Sequence, residues 1–188
     1  MAVSDRNVTL YNPEGLAIPA LIEYTARNHG DLPATDAALA SIDVKAQILG
    51  REEILYLNTD VLFLAALEEQ IRKDNVEKVK ARIIVEGANA PVTGEADELL
   101  TARGTIIIPD ILANAGGVIV SYFEWLQGRE TQFYSEDEVF TMLYAKMQKT
   151  LNGILPAYFK EPFTLRQSCY NHAVIKLSTM LYRQGKLY

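Results

Sequence analysis

IIPDILANAGGVIVSYFEWLQG, residues Ile107 to Gly128, decides the fold class of this chain of 188 residues. The stretch begins as an apolar run, turns through the small and polar residues of 114–117, and continues as an apolar, aromatic helix that carries Ser121. A continuous apolar run is typical of a parallel strand that is covered on both faces. The stretch therefore predicts a strand, a tight corner and a helix, which is the repeating unit of an α/β fold.

Other runs of the same kind precede it. Residues 61–66 and 82–89 are apolar and end in small or polar residues, and a shorter run occupies residues 2–4. Helical patterns lie between the runs, one opened by Pro19 and closed by Gly30, another with Thr93 as its cap. This alternation predicts an α/β fold with an open parallel sheet flanked by helices, with residues 2–4 as one of its strands.

The last third of the chain has a helical pattern only. Ser135–Glu138 and Thr164–Gln167 both have the sequence of a capping box, which marks the start of a helix. The apolar spacing that follows predicts two long helices, the second running to Gly185. Residues 31–57 give a weak pattern, in which only a short helix at 51–57 is predicted.

Composition narrows the class of protein. With 49% hydrophobic and 22% charged residues, the chain can form one globular domain over residues 1–188. The net charge of -6, without a cluster of Lys or Arg, speaks against a nucleic-acid partner. The first residues lack the pattern of a signal peptide, and no apolar run is long enough to span a bilayer. The lone Cys169, expected as a buried structural thiol, fits a reducing compartment, so we expect a cytoplasmic protein.

Short polar or small side chains follow each predicted strand, where ligands bind in open parallel sheets. These residues are Asp5, Ala65, Ala66, Asn89 and Asn114. Each polar one also has a purely local interpretation, namely a turn for Asp5 and Asn89 and a helix cap for Asn114. In the helix that follows, Ser121 could simply bond to the carbonyl of Gly117. The pattern predicts a ligand-binding crevice and does not identify the ligand.

Three sequence motifs narrow the choice of protein family. EGAN at 86–89, PDILANAGGV at 109–118 and VSYFEW at 120–125 occur in this order, and together they resemble the carboxyl-terminal, dinucleotide-binding half of glutamate dehydrogenases. The resemblance extends over nearly the whole chain. The motif VSYFEW is similar to the glutamate branch rather than to the leucine, valine or phenylalanine dehydrogenases. What the resemblance implies is oxidative deamination of glutamate to 2-oxoglutarate with NAD or NADP as coenzyme.

The resemblance also implies roles for the residues at the strand ends. Asp5 would lie beside the adenosine ribose, where a carboxylate accepts from ribose hydroxyls and disfavours a 2′-phosphate, which favours NAD. Ala65 and Ala66 would line the nicotinamide side, and Asn89 and Asn114 would contact the nicotinamide ribose and carboxamide.

On the substrate side, the resemblance implies that Val118 packs on the glutamate side chain and that Ser121 donates to its γ-carboxylate. Position 69, where the family usually has asparagine, is Glu69 in this chain.

Parts of the family pattern have no counterpart in the sequence. The first strand with its G-x-G-x-x-G turn is missing, and neither Lys45, Lys73, Lys78 nor Lys80 lies in a motif that matches the family's catalytic lysine. His29 and His172 have no partner that suggests a base or a metal site, so no catalytic or metal-binding residue is assigned. The resemblance therefore implies a truncated Rossmann-like domain that is inactive alone and needs a complementary amino-terminal half. The edge left by the missing strand would be covered by that half or by a second copy of the chain in a homodimer. The alternative is a non-catalytic binding or interaction module derived from the enzyme.

Overall fold

The computed structural model describes residues 1–186, so the last two residues of the predicted domain lie outside the described part. The chain divides into two compact units, each with its own sheet. The amino-terminal unit comprises Met1–Thr59 and Glu77–Ala81, and the carboxyl-terminal unit comprises Asp60–Val76 and the described residues from Arg82 onwards.

The amino-terminal unit is built on an antiparallel sheet. Its strands β1 (Ala2–Ser4), β2 (Val8–Tyr11) and β3 (Gln47–Gly50) lie in the order β1-β2-β3. Helices α1 (Ile18–Arg27) and α2 (Asp36–Ser41) follow β2, and a 3-10 helix, Arg51–Tyr56, follows β3 where the sequence predicts a short helix. The core of this unit consists of five buried side chains, Leu10, Leu21, Leu32, Leu39 and Val44.

The prediction that residues 2–4 form a strand of the parallel sheet is wrong. β1 pairs antiparallel with β2, with Ser4 opposite Thr9. Between them the Asp5 carboxylate accepts hydrogen bonds from the backbone N–H groups of Asn7 and Val8 at 2.7 and 2.9 Å. The Asp5 N–H donates to the Val8 carbonyl at 3.0 Å, which closes the turn. Because this turn reverses the chain after only three residues, β2 returns along β1 and the pairing becomes antiparallel.

The carboxyl-terminal unit contains the predicted parallel sheet. Strands β4 (Val61–Leu64), β5 (Ile83–Glu86) and β6 (Ile106–Ile108) lie in the order β4-β5-β6, and all pairs are parallel. Helix α3 (Gly94–Ala102) connects β5 to β6 and ends before Gly104, whose φ of +89° suits glycine. The prediction of an α/β fold with a parallel sheet flanked by helices is confirmed.

Helices complete this unit. A short α4 (Asp110–Ala113) and a longer α5 (Ala115–Glu130) follow β6, and α6 (Glu136–Lys160) and α7 (Leu165–Arg183) are the two long predicted helices. Both predicted capping boxes are present, with the side chains of Ser135 and Thr164 accepting from the backbone N–H three residues later. α4, α6 and α7 meet in a buried cluster of Leu112, Ile154, Leu165 and Cys169.

Cys169 is buried in this cluster, as the sequence predicts. Burial raises the pKa of its thiol, and the nearby Arg166 charge only partly opposes that effect. The thiol therefore stays protonated and acts as a packed apolar group. Within residues 1–186, none of the helices combines the length and the apolar character needed to cross a membrane.

The Asp5 turn predicts a pH-dependent stability. Burial opposes ionisation of Asp5, but hydrogen bonds from the N–H groups of Leu32, Val8 and Asn7, with the charge of Arg6, outweigh it and lower its pKa. Its stabilisation is therefore present above the ordinary pKa and is lost as the pH falls through the lower folded-state value. Asp5→Asn leaves the Leu32 N–H, now bonded at 2.7 Å, without its acceptor. We expect this change to cost about 1 kcal/mol at neutral pH.

The measurement is thermal unfolding, followed by circular dichroism, from about pH 7 down to about pH 2. The difference between wild type and Asp5→Asn should shrink as the pH falls. Glu14→Gln, an exposed carboxylate in the same unit, is the matched control and should show no such trend. A difference for Asp5→Asn that stays constant over the whole pH range would contradict the assignment.

Candidate functional site at the carboxyl ends of the parallel strands

The ends of β4 and β5 approach each other very closely. The Ala88 N–H donates to the Leu64 carbonyl at 2.8 Å, which continues the ladder one step beyond the strands. A Cβ atom at Gly87 would lie 3.1 Å from the Ala65 Cβ and 3.4 Å from its Cα, closer than side chains normally pack. Glycine at position 87 therefore lets the backbone after β5 lie directly against Ala65.

Asn89 and Asn114 meet at this edge of the sheet. The Asn114 Nδ2 donates to the Asn89 Oδ1 at 2.8 Å, with a longer contact of 3.5 Å to the Gly87 carbonyl. Although Asn114 precedes α5, its side chain makes no cap bond to that helix, so the local interpretation as an N-cap does not account for it. With the two amides joined, the Asn89 nitrogen and the Asn114 oxygen are the groups that can meet a ligand. They offer a donor from one side chain and an acceptor from the other.

The loop after β4 is tied to the loop after β5. The Glu69 N–H donates to the Ala90 carbonyl at 2.9 Å, and both residues have left-handed backbone angles, with φ of 51° and 44°. Ala65 and Ala66 begin the first of these loops and are exposed. The left-handed angle at position 69 gives a physical reason for asparagine there, because asparagine tolerates this region better than glutamate does.

A buried ion cluster lies next to these loops, and none of its residues is among those predicted from the sequence for the site. The Arg166 Nη2 donates to both carboxylate oxygens of Glu86, the last residue of β5, at 2.7 and 2.8 Å. Its Nε donates to Asp97 at 2.7 Å and its Nη1 to Asp110 at 3.0 Å. In the sequence, Glu86 only closes an apolar run; the structure shows that it is fully buried, and a carboxylate in that position requires a cation beside it.

The pKa values in the cluster follow from burial and charge. Burial raises the pKa of Glu86, and the hydrogen bonds from Arg166 and the Asp110 N–H reduce this rise without cancelling it. For Arg166, burial favours the neutral form, but the hydrogen bonds and charges of Glu86 and Asp97 outweigh burial and raise its pKa above the ordinary value. Burial also works against ionised Asp110, yet the N–H groups of Ala90 and Ile111 with Arg166 lower its pKa. Arg166 therefore remains a permanent cation.

A cavity of about 280 Å³ opens beside this cluster. Asp97, Arg166, Tyr158 and Phe163 are among the residues that line it. None of the predicted site residues does, so the cavity lies apart from the Asn89–Asn114 pair.

The substrate residues predicted on α5 lie on an exposed face. Val118 is 71% exposed and Trp125 53%, and Ser121 between them is also exposed. Among the described residues, the Ser121 hydroxyl has no hydrogen-bond partner, so the bond to the Gly117 carbonyl that was considered as an alternative is not formed. The hydroxyl is available to a ligand.

Asp5 lies in the turn between β1 and β2 of the amino-terminal unit, not on the parallel sheet that carries the other predicted cofactor residues. One carboxylate oxygen accepts from Asn7 and Val8, and the other accepts from Leu32 at 2.7 Å. The structure therefore gives Asp5 the local turn role, and a role toward a ribose stays a prediction.

The family profile of the Glutamate/Leucine/Phenylalanine/Valine dehydrogenases matches residues 1–185 of this chain. The chain belongs to this family. An NADP-specific glutamate dehydrogenase from Synechocystis is 40% identical over 187 residues, and an NAD-specific glutamate dehydrogenase A from Halobacterium salinarum is 37% identical over 179 residues. These alignments cover 98% and 95% of this family member, but only 43% and 39% of the two relatives.

Solved structures agree with the family assignment. The crystal structure of a hetero-hexameric glutamate dehydrogenase from Thermus thermophilus, in its Leu-bound form, superposes with a TM-score of 0.80 at 28% identity. The match covers 94% of this chain and 39% of that protein. The dehydrogenase family member described here thus spans about two fifths of the length of its relatives.

The left-handed backbone at position 69 predicts a stabilising substitution. Glu69→Asn places a residue that tolerates this conformation where glutamate is strained, and it removes one negative charge. We expect the free energy of unfolding to rise by about 0.5 kcal/mol, measured by urea denaturation. Glu68→Asn makes the same chemical change at a neighbour outside the left-handed region and should give no gain. Equal effects of the two substitutions would contradict this explanation.

Proposed function

We propose that this chain provides the nicotinamide coenzyme contacts and the substrate side-chain contacts of a glutamate dehydrogenase. The reaction is the NAD(P)-dependent oxidative deamination of glutamate to 2-oxoglutarate. The observation that carries the proposal is the Asn89–Asn114 amide pair at the carboxyl edge of the parallel sheet. In open α/β sheets this edge is where ligands bind, and the family match includes both residues.

The coenzyme side of the proposal uses the loops after β4 and β5. The free donor of Asn89 and acceptor of Asn114 complement a carboxamide, which presents one acceptor and one donor in the same plane. Ala65 and Ala66, exposed at the end of β4, leave room for a flat ring beside that pair. The preference for NAD that the sequence suggests through Asp5 stays a prediction, and relatives of both specificities exist.

The substrate side uses the exposed face of α5. The Ser121 hydroxyl would donate to the γ-carboxylate of glutamate, and Val118 would pack against its methylene groups. A carboxylate bound by a hydroxyl on an open surface gains little, because water competes for both groups. This face therefore needs a second polypeptide surface over it before it can bind glutamate tightly.

Catalysis requires more than these contacts. Hydride transfer needs nicotinamide and substrate held at reacting distance, with a group that polarises the substrate and a group that moves protons. We propose that these catalytic groups belong to the part of the relatives that the match leaves uncovered, so that residues 1–188 alone are inactive. The cytoplasmic location expected from the sequence is part of the same proposal.

The partner we propose is a polypeptide equivalent to that uncovered part. Its support is the apolar surface of α5 to α7, where several large side chains are more than half exposed: Val118, Tyr122, Trp125, Phe140, Tyr144, Phe159, Val174, Leu177 and Tyr182. Large exposed apolar side chains, where they form a contiguous patch, mark an interaction site in soluble proteins. The same surface also favours the second candidate function, a non-catalytic interaction module.

The first test measures binding. Isothermal titration of the chain with NAD, NADP and glutamate is repeated after mixing with the separately produced amino-terminal part of a glutamate dehydrogenase relative. We expect glutamate-dependent reduction of NAD, followed by absorbance, only in the mixture. Failure of the mixture to bind or reduce either coenzyme would contradict the proposed function. Self-association of the chain under those conditions, seen by light scattering, would favour the interaction module.

The second test uses Ser121. In the active mixture, Ser121→Ala should raise the KM for glutamate roughly ten- to hundredfold, since a hydrogen bond to a charged group contributes about 1.5–3 kcal/mol. The KM for the coenzyme should not change. Ser178→Ala, which removes a hydroxyl that bonds within α7 at 3.1 Å, is the matched control. An unchanged KM for glutamate in Ser121→Ala would remove Ser121 from the substrate site.

A further inference from the structure

Arg166 connects three separate elements of the carboxyl-terminal unit. Its guanidinium bonds to Glu86 at the end of β5, to Asp97 in α3 and to Asp110, the first residue of α4. Glu86 has no exposed side-chain surface, and the Arg166 side chain is 25% exposed. A fully buried carboxylate is stable as an ion only beside a bound cation, so the geometry of the cluster depends on Arg166.

One path leads from Arg166 to Asn89. Asp110 uses Oδ1 to accept from Arg166 and Oδ2 to accept from the Ala90 N–H at 2.9 Å. Ala90 has a left-handed backbone, with φ of 44°, which is unfavourable for alanine and persists only where neighbouring bonds hold it. Since Ala90 directly follows Asn89, the Asp110 carboxylate fixes the direction in which the Asn89 side chain leaves the loop.

A second path leads from Arg166 to Asn114. Glu86, bonded to Arg166 through both oxygens, accepts from the Asp110 N–H at 2.8 Å. Asp110 begins the four-residue α4, and its carbonyl accepts from the Asn114 N–H at 3.0 Å at the other end of that helix. A helix of one turn has no stability of its own, so the ion cluster at its start determines where Asn114 lies.

We infer that Arg166 is a positioning residue for the nicotinamide site, which holds Asn89 and Asn114 in their 2.8 Å pair through Glu86 and Asp110. The inference rests on the proposed function in so far as the pair is a coenzyme site. Arg166 itself bonds to none of the groups that would meet the coenzyme. Its effect on binding is to keep the amide pair formed before the ligand arrives, which avoids the cost of ordering it.

The experiment observes the amide pair directly in the full chain labelled with nitrogen-15. The side-chain NH₂ signals of Asn89 and Asn114 are assigned with Asn89→Asp and Asn114→Asp. In the wild type we expect the two Asn114 amide protons to be widely separated in chemical shift, because one of them is hydrogen-bonded. In Arg166→Gln both side chains should move toward the shifts of free asparagine, while signals from the amino-terminal unit stay in place.

The same variants are titrated with nicotinamide mononucleotide. If the pair is formed in only about one tenth of the molecules, the apparent dissociation constant rises about tenfold, because affinity falls in proportion to the competent fraction. The two readouts should therefore change together. Arg166→Lys, which keeps the charge but not the three nitrogens that reach three carboxylates, should restore part of both.

Two further variants separate positioning from general stability. Asp110→Asn removes one carboxylate from the path and leaves the Arg166 bonds to Glu86 and Asp97 available, so it decides the question if Arg166→Gln does not fold. Ile154→Val loosens the neighbouring apolar cluster without touching the ion cluster. It should lower the melting temperature and leave the Asn114 signals unchanged. Equal loss of the Asn114 signals in Ile154→Val would mean that Arg166 acts only through stability and would overturn the inference.

Unchanged Asn89 and Asn114 signals in a folded Arg166→Gln or Asp110→Asn would also overturn it. A wild type that shows the paired amide signals but binds no nicotinamide mononucleotide would count against the proposed function alone. The spectra still decide whether Arg166 positions the pair, so the two failures are distinguishable.

Discussion

The contact between the Arg166 guanidinium and the buried Glu86 carboxylate is the interaction on which the carboxyl-terminal unit depends. Removing two charges from water costs several kcal/mol for each ion, and only close, fully bonded geometry offsets that cost. Here the guanidinium uses its fork of donors for three carboxylates on three elements, which a lysine could not do. A strand end, a crossover helix and the start of a one-turn helix are thereby held by one side chain from α7. Such a cluster fixes the positions of these three elements relative to one another more than it adds stability.

The side chains of the candidate site next to this cluster carry no charge. The candidate site consists of two amides, two alanines and a serine hydroxyl, and none of these groups changes its charge near neutral pH. Groups of this kind bind and orient a ligand, and they cannot by themselves move a proton to or from a reacting carbon. The lack of a titrating group in the site is the physical reason why the proposed function assigns binding to residues of this chain and proton transfer to the proposed partner. The charged cluster lies next to the site, where it can fix geometry without adding a charged group to the site itself.

The exposed apolar side chains of α5 to α7 agree with the proposal that this chain binds the ligands and a second polypeptide supplies the catalytic groups. Val118, Tyr122 and Trp125 are each more than half exposed on one helix, beside the proposed substrate residue Ser121. Leaving large apolar side chains in water costs about 25 cal/mol for each Å² that a partner could cover. A surface that would bind substrate and also attract a second polypeptide makes substrate binding depend on assembly. Protein–protein contact and completion of the substrate pocket would then be one event.

The sequence by itself determined the parallel sheet, both capping boxes, the two long helices and the family. These features depend on local patterns, namely continuous apolar runs, cap residues at fixed spacing and motifs in order. The antiparallel sheet of the amino-terminal unit was missed because residues 31–57, which contain β3, give only a weak pattern and because β3 lies far from β2 in sequence. For Asp5, the sequence offered both a turn and a ligand role; the hairpin bonds establish the turn, and the ligand role stays a prediction. The Arg166 cluster joins residues up to 80 positions apart, and no local pattern encodes such a contact. Only the tertiary structure could bring Glu86, Asp97, Asp110 and Arg166 together, since their attraction becomes strong only after folding has removed them from water.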